Sequence, residues 1–196
     1  MPTAPLRPHL ARELITRTAR ADEHWARLVR KQLTDEQVGA GRRIDHVNAG
    51  YLERTLQEYG WPDVPLVGEN GARAAWRIAL RADTRPGFQQ FASRAMYGAV
   101  ERGTASLPQW AHLYDRCLLG SGRPQFYGTQ YNLLGSGGPQ MLAVLGSAGD
   151  LDARRAAVGL PPFRLAAQRL RDRLAAEPRL DEEDDELSPV VLADAA

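Results

Sequence analysis

Apolar residues recur every three or four positions over much of the chain, and this period is typical of amphipathic helices. A long helix is predicted over residues 5–33, and its apolar stripe consists of Leu10, Leu14, Ala21, Trp25, Leu28 and Val29. A second helix is predicted from about Ile44 to Tyr59, with an inner face made of Ile44, Val47, Tyr51, Leu52, Leu56 and Tyr59. Gly60 ends this helix, and Pro62 prevents its continuation.

Further helical segments follow the same period. They are predicted over residues 72–81, with Asn70 as the N-cap, and over residues 86–102, 107–119, 152–158 and 161–176. Residues 120–150 are rich in Gly and Ser, and within them only residues 126–131 could form a short strand. The sequence therefore predicts an all-α fold, a single compact multi-helix domain with one irregular Gly-rich loop region and at most a minor strand.

Three regions follow from this pattern and from the distribution of charge. Residues 1–40 carry the long N-terminal helix, residues 41–177 form a helical core domain, and residues 178–196 form an acidic tail that we expect to be disordered. Residues 181–196 contain seven acidic residues and no basic ones, so the rest of the chain has a net charge of +8 although the whole chain carries +1.

The positive net charge of residues 1–180 could attract a nucleic acid or another polyanion. The bases of these residues are scattered arginines, Lys31 is the only lysine, and no basic stripe or RNA-binding signature is present, which disfavours nucleic acid. The N-terminal helix and the acidic tail are the candidate surfaces for a protein partner.

Cys117 is the only cysteine, so no intrachain disulfide can form, and no segment is apolar enough for a signal peptide or a membrane span. We expect a cytoplasmic protein without a membrane partner.

The polar segment over residues 113–130, LYDRCLLGSGRPQFYGTQ, carries the candidate chemistry. Asp115, Tyr127 and His112 are the candidate catalytic residues, because His112 lies one turn before Asp115 and can be oriented by it as a general acid or base. Tyr127 belongs to a loop whose phenol and amide groups suit substrate orientation or oxyanion stabilisation. The candidate ligand-binding residues are Arg81, Gln90, Arg116, Gln125, Thr129 and Gln130.

The same residues also have a structural interpretation. A buried aspartate tied to backbone N–H groups is commonly architectural, and the loop would then be a hydrogen-bonded plug that satisfies helix ends. Glu69 is a further open case, since it precedes a predicted helix start. We expect an exposed capping residue there, whereas a buried carboxylate would be a candidate general acid or base.

No metal or cofactor is expected from the motifs. The chain has no HExxH, CxxC or His-x-His spacing. Its Gly-rich turns GSGRPQ and GSGGPQ match neither the phosphate loop GxxxxGK[ST] nor a strand–GxGxxG–helix unit, so we interpret them as turns.

Several short motifs occur in an order that resembles a bacterial family of unknown function. They are a GWP turn at residues 60–62, a DR pair at 115–116 and a YGTQ box at 127–130, and the resemblance covers about residues 44–163. The resemblance implies no established activity, but it does imply that these polar residues matter. The family pattern Trp-x-x-x-x-His-Ala-Asp reads Trp-Arg-Ile-Ala-Leu-Arg-Ala-Asp here, so Arg81 replaces the histidine. An arginine stays protonated and has no acceptor, so it cannot serve as a general base or a metal ligand.

Two hypotheses about function remain open. The first is a small enzyme of hydrolase or lyase type, whose polar pocket binds a small anionic or amide-bearing ligand and acts by orientation and electrostatic stabilisation. The second is a non-catalytic binding or accessory module, in which the residues of the DR pair and the YGTQ box are structural. Arg81 in place of histidine favours the second hypothesis or an altered chemistry.

Overall fold

Helices make up most of the structure, a computed structural model that describes residues 4–29, 33–133, 139–176 and 191–193. The helices of these residues are α1 Pro8–Val29, α2 Asp35–Tyr59, α3 Val64–Leu80, α4 Pro86–Glu101, α5 Leu107–Gly120, α6 Ala148–Ala157 and α7 Phe163–Ala176. The strands are β1 Gln130–Asn132, β2 Gln140–Met141 and β3 Val191–Ala193, which form a small antiparallel sheet in the order β2-β1-β3. The all-α prediction with a minor strand region is confirmed.

The first five helices share one hydrophobic core. Each contributes a side chain that is almost completely buried, namely Leu14 of α1, Leu52 of α2, Trp76 of α3, Met96 of α4 and Leu113 of α5. Helix α1 packs mainly against α3, and α4 packs mainly against α5. The N-terminal helix therefore belongs to the same packed unit as α5, the helix that carries the DR pair.

Two helices begin earlier than the sequence analysis predicted. Helix α2 begins at Asp35 rather than near Ile44, because Thr34 and Gln37 form a capping box in which each side chain accepts from the other's backbone N–H. Helix α3 begins at Val64 with Asp63 as its N-cap, and the predicted N-cap Asn70 lies within it, close to where a second helical segment begins. The chain passes through a kink at Gly68, whose φ of 72° lies in the left-handed region.

The inner face of α2 differs from the prediction. Ile44 and Val47 are 36% and 60% exposed, while Asp45 and Asn48 are only 7% and 5% exposed. The prediction was right for Leu52 and wrong for Ile44 and Val47. Hydrogen bonds explain the rotation, because the indole Nε1 of Trp25 donates to Asp45 at 2.7 Å, and Asn48 likewise bonds with a residue of α1. The hydrogen bonds of the two buried polar side chains therefore stabilise this orientation of α2 more than burial of the two aliphatic side chains would.

The Gly-rich region contributes β1 and β2 to the sheet. The strand expected within residues 126–131 is shifted, since β1 covers Gln130–Asn132 and pairs Tyr131 with Met141 of β2. The predicted disorder of residues 178–196 falls outside the described residues, except at Val191–Ala193, which pair with β1 as a strand. No helix in the described part of the chain combines the length and the hydropathy that a membrane span requires.

Candidate functional site

Asp115 on α5 is the anchor of the loop that follows this helix. Its side chain has no exposed surface, and its two carboxylate oxygens accept from the backbone N–H groups of Phe126 at 2.7 Å, Tyr127 at 3.0 Å and Thr129 at 3.0 Å. The hydroxyl of Thr129 donates a further bond at 2.9 Å. Burial raises the pKa of Asp115, and these hydrogen bonds oppose the rise. The acceptor capacity of the carboxylate is therefore occupied by its own loop.

The opposite side of the same loop is held by Arg155 of α6. Its Nη1 donates to the carbonyl of Tyr127 at 2.8 Å and to the carbonyl of Gly128 at 3.0 Å. Gly128 has a φ of 62°, and a Cβ there would meet the sulfur of Met141 at 2.9 Å. The turn thus requires both the backbone freedom and the small size of glycine.

Gln125 and Gln130 bind each other inside the loop. Gln130 N–H donates to Oε1 of Gln125 at 2.8 Å, and Nε2 of Gln125 donates to the carbonyl of Gln130 at 3.0 Å. The amide of Gln130 also donates to the carbonyl of His112 at 3.3 Å and to the hydroxyl of Thr129 at 3.0 Å. Both glutamines are completely buried, so they build the loop and do not face a cavity open to solvent.

Tyr127 and His112 lie in apolar surroundings. The ring of Tyr127 makes edge contacts with Trp110, Tyr114 and Phe126, and burial raises the pKa of its phenol. The buried imidazole of His112 packs edge-on against Trp76. The Asp115 oxygens accept from the loop, and the orientation of His112 by Asp115 stays a prediction. Burial also raises the pKa of the Cys117 thiol to about 11, which disfavours a thiolate nucleophile.

Arg116, the second residue of the DR pair, binds Asp83. The two side chains form a two-point contact, with Nε donating to Oδ1 at 2.8 Å and Nη2 donating to Oδ2. The Arg116 side chain is only 10% exposed, whereas that of Asp83 is 50% exposed. Gln89 donates to the same carboxylate at 3.3 Å, and Nη1 of Arg116 reaches Gln130 at 3.5 Å. Arg116 is one of the ligand-binding residues predicted from the sequence, and here it binds a carboxylate of the chain itself.

Arg81 ends α3 and faces α1. Its Nη2 donates to Asp22 at 2.6 Å, and Arg77, one turn earlier, donates to the other oxygen of Asp22 at 2.6 Å. Gln90 lies elsewhere, since its amide donates to the hydroxyl of Ser121 at 3.1 Å. Within the described residues, no hydrogen bond joins Gln90 to Arg81, whereas the bond to Ser121 connects Gln90 to the first residue of the loop after α5. That the ligand-binding residues line one pocket stays a prediction.

Asp45 of α2 interacts electrostatically with Arg81 and Asp83. Burial raises the pKa of Asp45 from 3.8 to about 6, against the positive charge of Arg81 and the Trp25 hydrogen bond, which lower it. The negative charge of Asp83 raises it further, so both residues lie within electrostatic reach of this carboxyl. We name the four residues that these interactions connect the Asp83 cluster: Asp45, Arg81, Asp83 and Arg116.

Asp45 and Asp83 are not among the candidates singled out from the sequence, although signals for both exist. Asp83 stands at the end of the Trp-x-x-x-x-His-Ala-Asp pattern, and Asp45 stands among aliphatic residues on a helix. Asp45 accepts a hydrogen bond from Trp25 and Asp83 accepts one from Arg116, and both donors lie far away in the sequence. In the residues that the structure describes, no group of three or more His, Cys, Asp or Glu side chains is arranged to hold a metal ion.

One comparison with known protein families gives a match. The sequence model of a family of unknown function, DUF6624, matches residues 10–176, from the first turn of α1 to the end of α7. No curated protein and no solved structure matches the chain.

Proposed function

We propose that this chain, which belongs to the DUF6624 family, is a non-catalytic binding module for a small amide-bearing or anionic ligand, with the Asp83 cluster as its site. The observation that carries the proposal is the contrast between two aspartates. Asp115 is completely buried and its oxygens serve the loop, whereas half of the Asp83 side chain is open to solvent. In this function, Asp115 and the YGTQ box form the framework of the site, and Arg116 of the DR pair holds Asp83 within it.

An amide suits the Asp83 cluster better than a simple anion. A carboxylate has about four acceptor positions, and Arg116 and Gln89 occupy three of those on Asp83. The guanidinium of Arg81 has five N–H donors, of which Asp22 takes only one. A primary amide offers an N–H to Asp83 and a carbonyl to Arg81, while an anion meets the negative charges of Asp83 and Asp45.

The test is a calorimetric titration with butyramide and, separately, with butyrate. We expect butyramide to bind the wild-type protein more tightly than butyrate. Arg81→Gln should weaken butyramide binding about tenfold, because it removes a charged hydrogen-bond donor. Asp83→Asn should weaken it as well, provided that circular dichroism shows the helices intact.

Arg12→Gln on the exposed face of α1 is the matched control for Arg81→Gln, and it should bind butyramide like the wild type. Asp83→Asn leaves the buried Arg116 without its anion and can unfold the protein, so Arg81→Gln is the decisive variant. Binding of butyramide that is equal in the wild type and in Arg81→Gln contradicts the proposed site. Absence of binding to the wild type contradicts the proposed ligand.

A second candidate function is an enzyme of hydrolase or lyase type, and one observation favours it. The pKa of Asp45 is raised to about 6, near the operating range of a general base, and only Trp25 donates to it among the described residues. Asp45 would then take a proton from water as the water attacks an amide, giving a carboxylic acid and ammonia. This enzyme would use Asp45 in place of Asp115, Tyr127 or His112.

Release of ammonia from butyramide tests the enzymatic alternative. The alternative expects release by the wild type, an increase in rate as the pH rises through about 6, and no release by Asp45→Asn. Butyramide that binds and stays intact supports the binding module instead. Ammonia release that survives Asp45→Asn removes Asp45 from the mechanism.

Location and partners are part of the same proposal. A chain with one cysteine, Cys117, suits a reducing compartment, so we propose a cytoplasmic location. The acidic run within residues 181–186 and helix α1 are the proposed surfaces for a protein partner. A cross-linking experiment on the full chain, compared with a chain that ends at residue 177, tests the role of the acidic run.

A further inference from the structure

A small cleft opens between the start of α3, the middle of α4 and the start of α5. Its volume is about 220 Å³, and its lining residues are Trp61, Val64, Glu69, Ala72, Arg73, Met96, Ala105, Ser106 and Gln109. Trp61 and Met96 are almost completely buried and form an apolar floor. Trp61 belongs to the GWP turn, and this turn contributes no residue to the loop after α5 or to the Asp83 cluster.

Three polar side chains around this floor, those of Glu69, Arg73 and Gln109, make no hydrogen bond or ion pair within the described residues, whereas the hydroxyl of Ser106 caps α5. Glu69 and Arg73 lie one turn apart on α3 and are both exposed, and neither forms an ion pair with any residue that the structure describes. The side-chain amide of Gln109 likewise makes no hydrogen bond within the described residues. This arrangement is the reverse of the loop at Asp115, where the polar side chains bind one another. The sequence predicts an exposed capping residue at Glu69; the residue is exposed and directly follows the kink at Gly68, while Asp63 caps the start of α3.

We propose that this cleft binds a free amino acid with an aliphatic side chain. The ligand ammonium pairs with Glu69, its carboxylate pairs with Arg73, and its side chain lies against Trp61 and Met96. Opposite charges one helical turn apart match a zwitterion, in which the two charged groups are close together. The volume is below the roughly 300–1,000 Å³ of sites for drug-sized ligands, which also points to a small molecule.

This inference stands apart from the proposed function. None of the cleft residues belongs to the Asp83 cluster, so the two sites can fail separately. A loss of amino-acid binding in Glu69→Gln, with butyramide binding unchanged, places the two ligands at different sites. Loss of butyramide binding in Arg81→Gln, with amino-acid binding unchanged, also places the two ligands at different sites.

The probes are L-leucine, N-acetyl-L-leucine and L-leucinamide, titrated calorimetrically into the full chain. The acetylated compound has no cation and the amide has no anion, while the aliphatic side chain is the same in all three. We expect L-leucine to bind, and each of the other two to bind about tenfold more weakly, because one charged contact is lost.

Two variants assign those contacts to residues. In Glu69→Gln, L-leucine should bind no better than N-acetyl-L-leucine binds the wild type, and in Arg73→Gln it should bind no better than L-leucinamide. The matched controls are Glu36→Gln and Arg42→Gln, two exposed positions of α2 that should keep wild-type affinity. Both cleft side chains are exposed, so their substitution should leave the melting temperature unchanged.

Three results overturn the proposal. The first is absence of L-leucine binding at millimolar concentrations. The second is equal binding of all three probes, which means that the charges are not recognised. The third is unchanged L-leucine binding in both Glu69→Gln and Arg73→Gln, which places the ligand outside the cleft.

Discussion

Asp115 and Thr129 share a two-point contact, in which one carboxylate oxygen accepts both the backbone N–H of Thr129 at 3.0 Å and its hydroxyl at 2.9 Å. The second oxygen accepts from the backbone at Phe126 and Tyr127 at 2.7 and 3.0 Å. One side chain of α5 thereby fixes the path of four consecutive residues. An anchor of this kind makes the YGTQ box part of the folded framework.

Asp115→Asn should destabilise the protein strongly. An asparagine replaces one acceptor oxygen by an NH₂ donor, so one side of the loop meets a donor where it had an acceptor. We expect a loss of about 3 kcal/mol in the free energy of unfolding, measured by urea titration. Asp35→Asn, at an exposed position of α2, is the control and should stay within about 0.5 kcal/mol of the wild type. A loss below about 1 kcal/mol for Asp115→Asn would return Asp115 to the list of functional residues.

Tyr127 should be replaceable by phenylalanine but not by alanine. Its backbone N–H binds Asp115 and its ring packs among aromatic neighbours, while its hydroxyl makes no hydrogen bond within the described residues. Tyr127→Phe should therefore cost less than about 1 kcal/mol, and Tyr127→Ala should cost about 3–5 kcal/mol through lost packing. Thermal unfolding of the two variants measures the difference. Equal losses in both would show that the hydroxyl, and not the ring, is the essential group.

Two glycines with the same backbone conformation provide a test of the close packing around the loop. Gly128 and Gly122 have φ values of 62° and 70°, so alanine at either position costs about 1–2 kcal/mol in backbone strain. A Cβ at Gly122 meets nothing within 4 Å, whereas one at Gly128 meets Met141 and Leu151. Gly128→Ala should therefore be less stable than Gly122→Ala by at least about 1 kcal/mol. Similar melting temperatures for the two variants would contradict the packing at Gly128.

Asp45 should make the protein more stable at mildly acidic pH. Its pKa is raised from 3.8 to about 6 in the folded chain, so the folded state binds the proton more tightly than the unfolded state does. The contribution of this group is fully present below pH 3.8 and is lost as the pH rises through about 6. The shift corresponds to about 3 kcal/mol.

Asp45→Asn isolates this effect, because the asparagine oxygen can still accept from Trp25 and has no charge to bury. We expect the variant to gain stability relative to the wild type as the pH increases from about 4 to 7.5, as measured by urea titrations at each pH. Val47→Ala, an exposed and uncharged change on the same helix, should follow the pH curve of the wild type. A constant difference between Asp45→Asn and the wild type across this range would rule out a raised pKa at Asp45.

The helices and their order could be predicted from the sequence because each buries an apolar stripe of regular period. Leu14, Leu52 and Leu113 are in the core for this reason. Which face of α2 lies against the core could not be predicted from the sequence of this helix alone. Asp45 turns inward because of Trp25, which lies 20 positions earlier in the chain, and no local period reports such a bond.

The candidate site shows the same limit. The loop residues were recognisable by their unusual composition, but composition does not tell whether a carboxylate binds a ligand or its own backbone. The partner of Arg116 is Asp83, 33 positions away, and the partners of Asp115 begin 11 positions away across a Gly-rich turn. Because of these tertiary contacts, we propose Asp83 in place of Asp115 and Tyr127, next to Arg81, which was already a candidate from the sequence.

The most direct test of the central claim is an NMR titration of the isotope-labelled full chain with butyramide. If Asp83 and Arg81 form the ligand site and the YGTQ box is framework, the side-chain N–H signals of Arg81 and Arg116 should shift. The backbone signals of Phe126, Tyr127 and Thr129, which are bound by Asp115, should stay in place. Shifts confined to those three backbone signals, with the two arginines unchanged, would contradict the account.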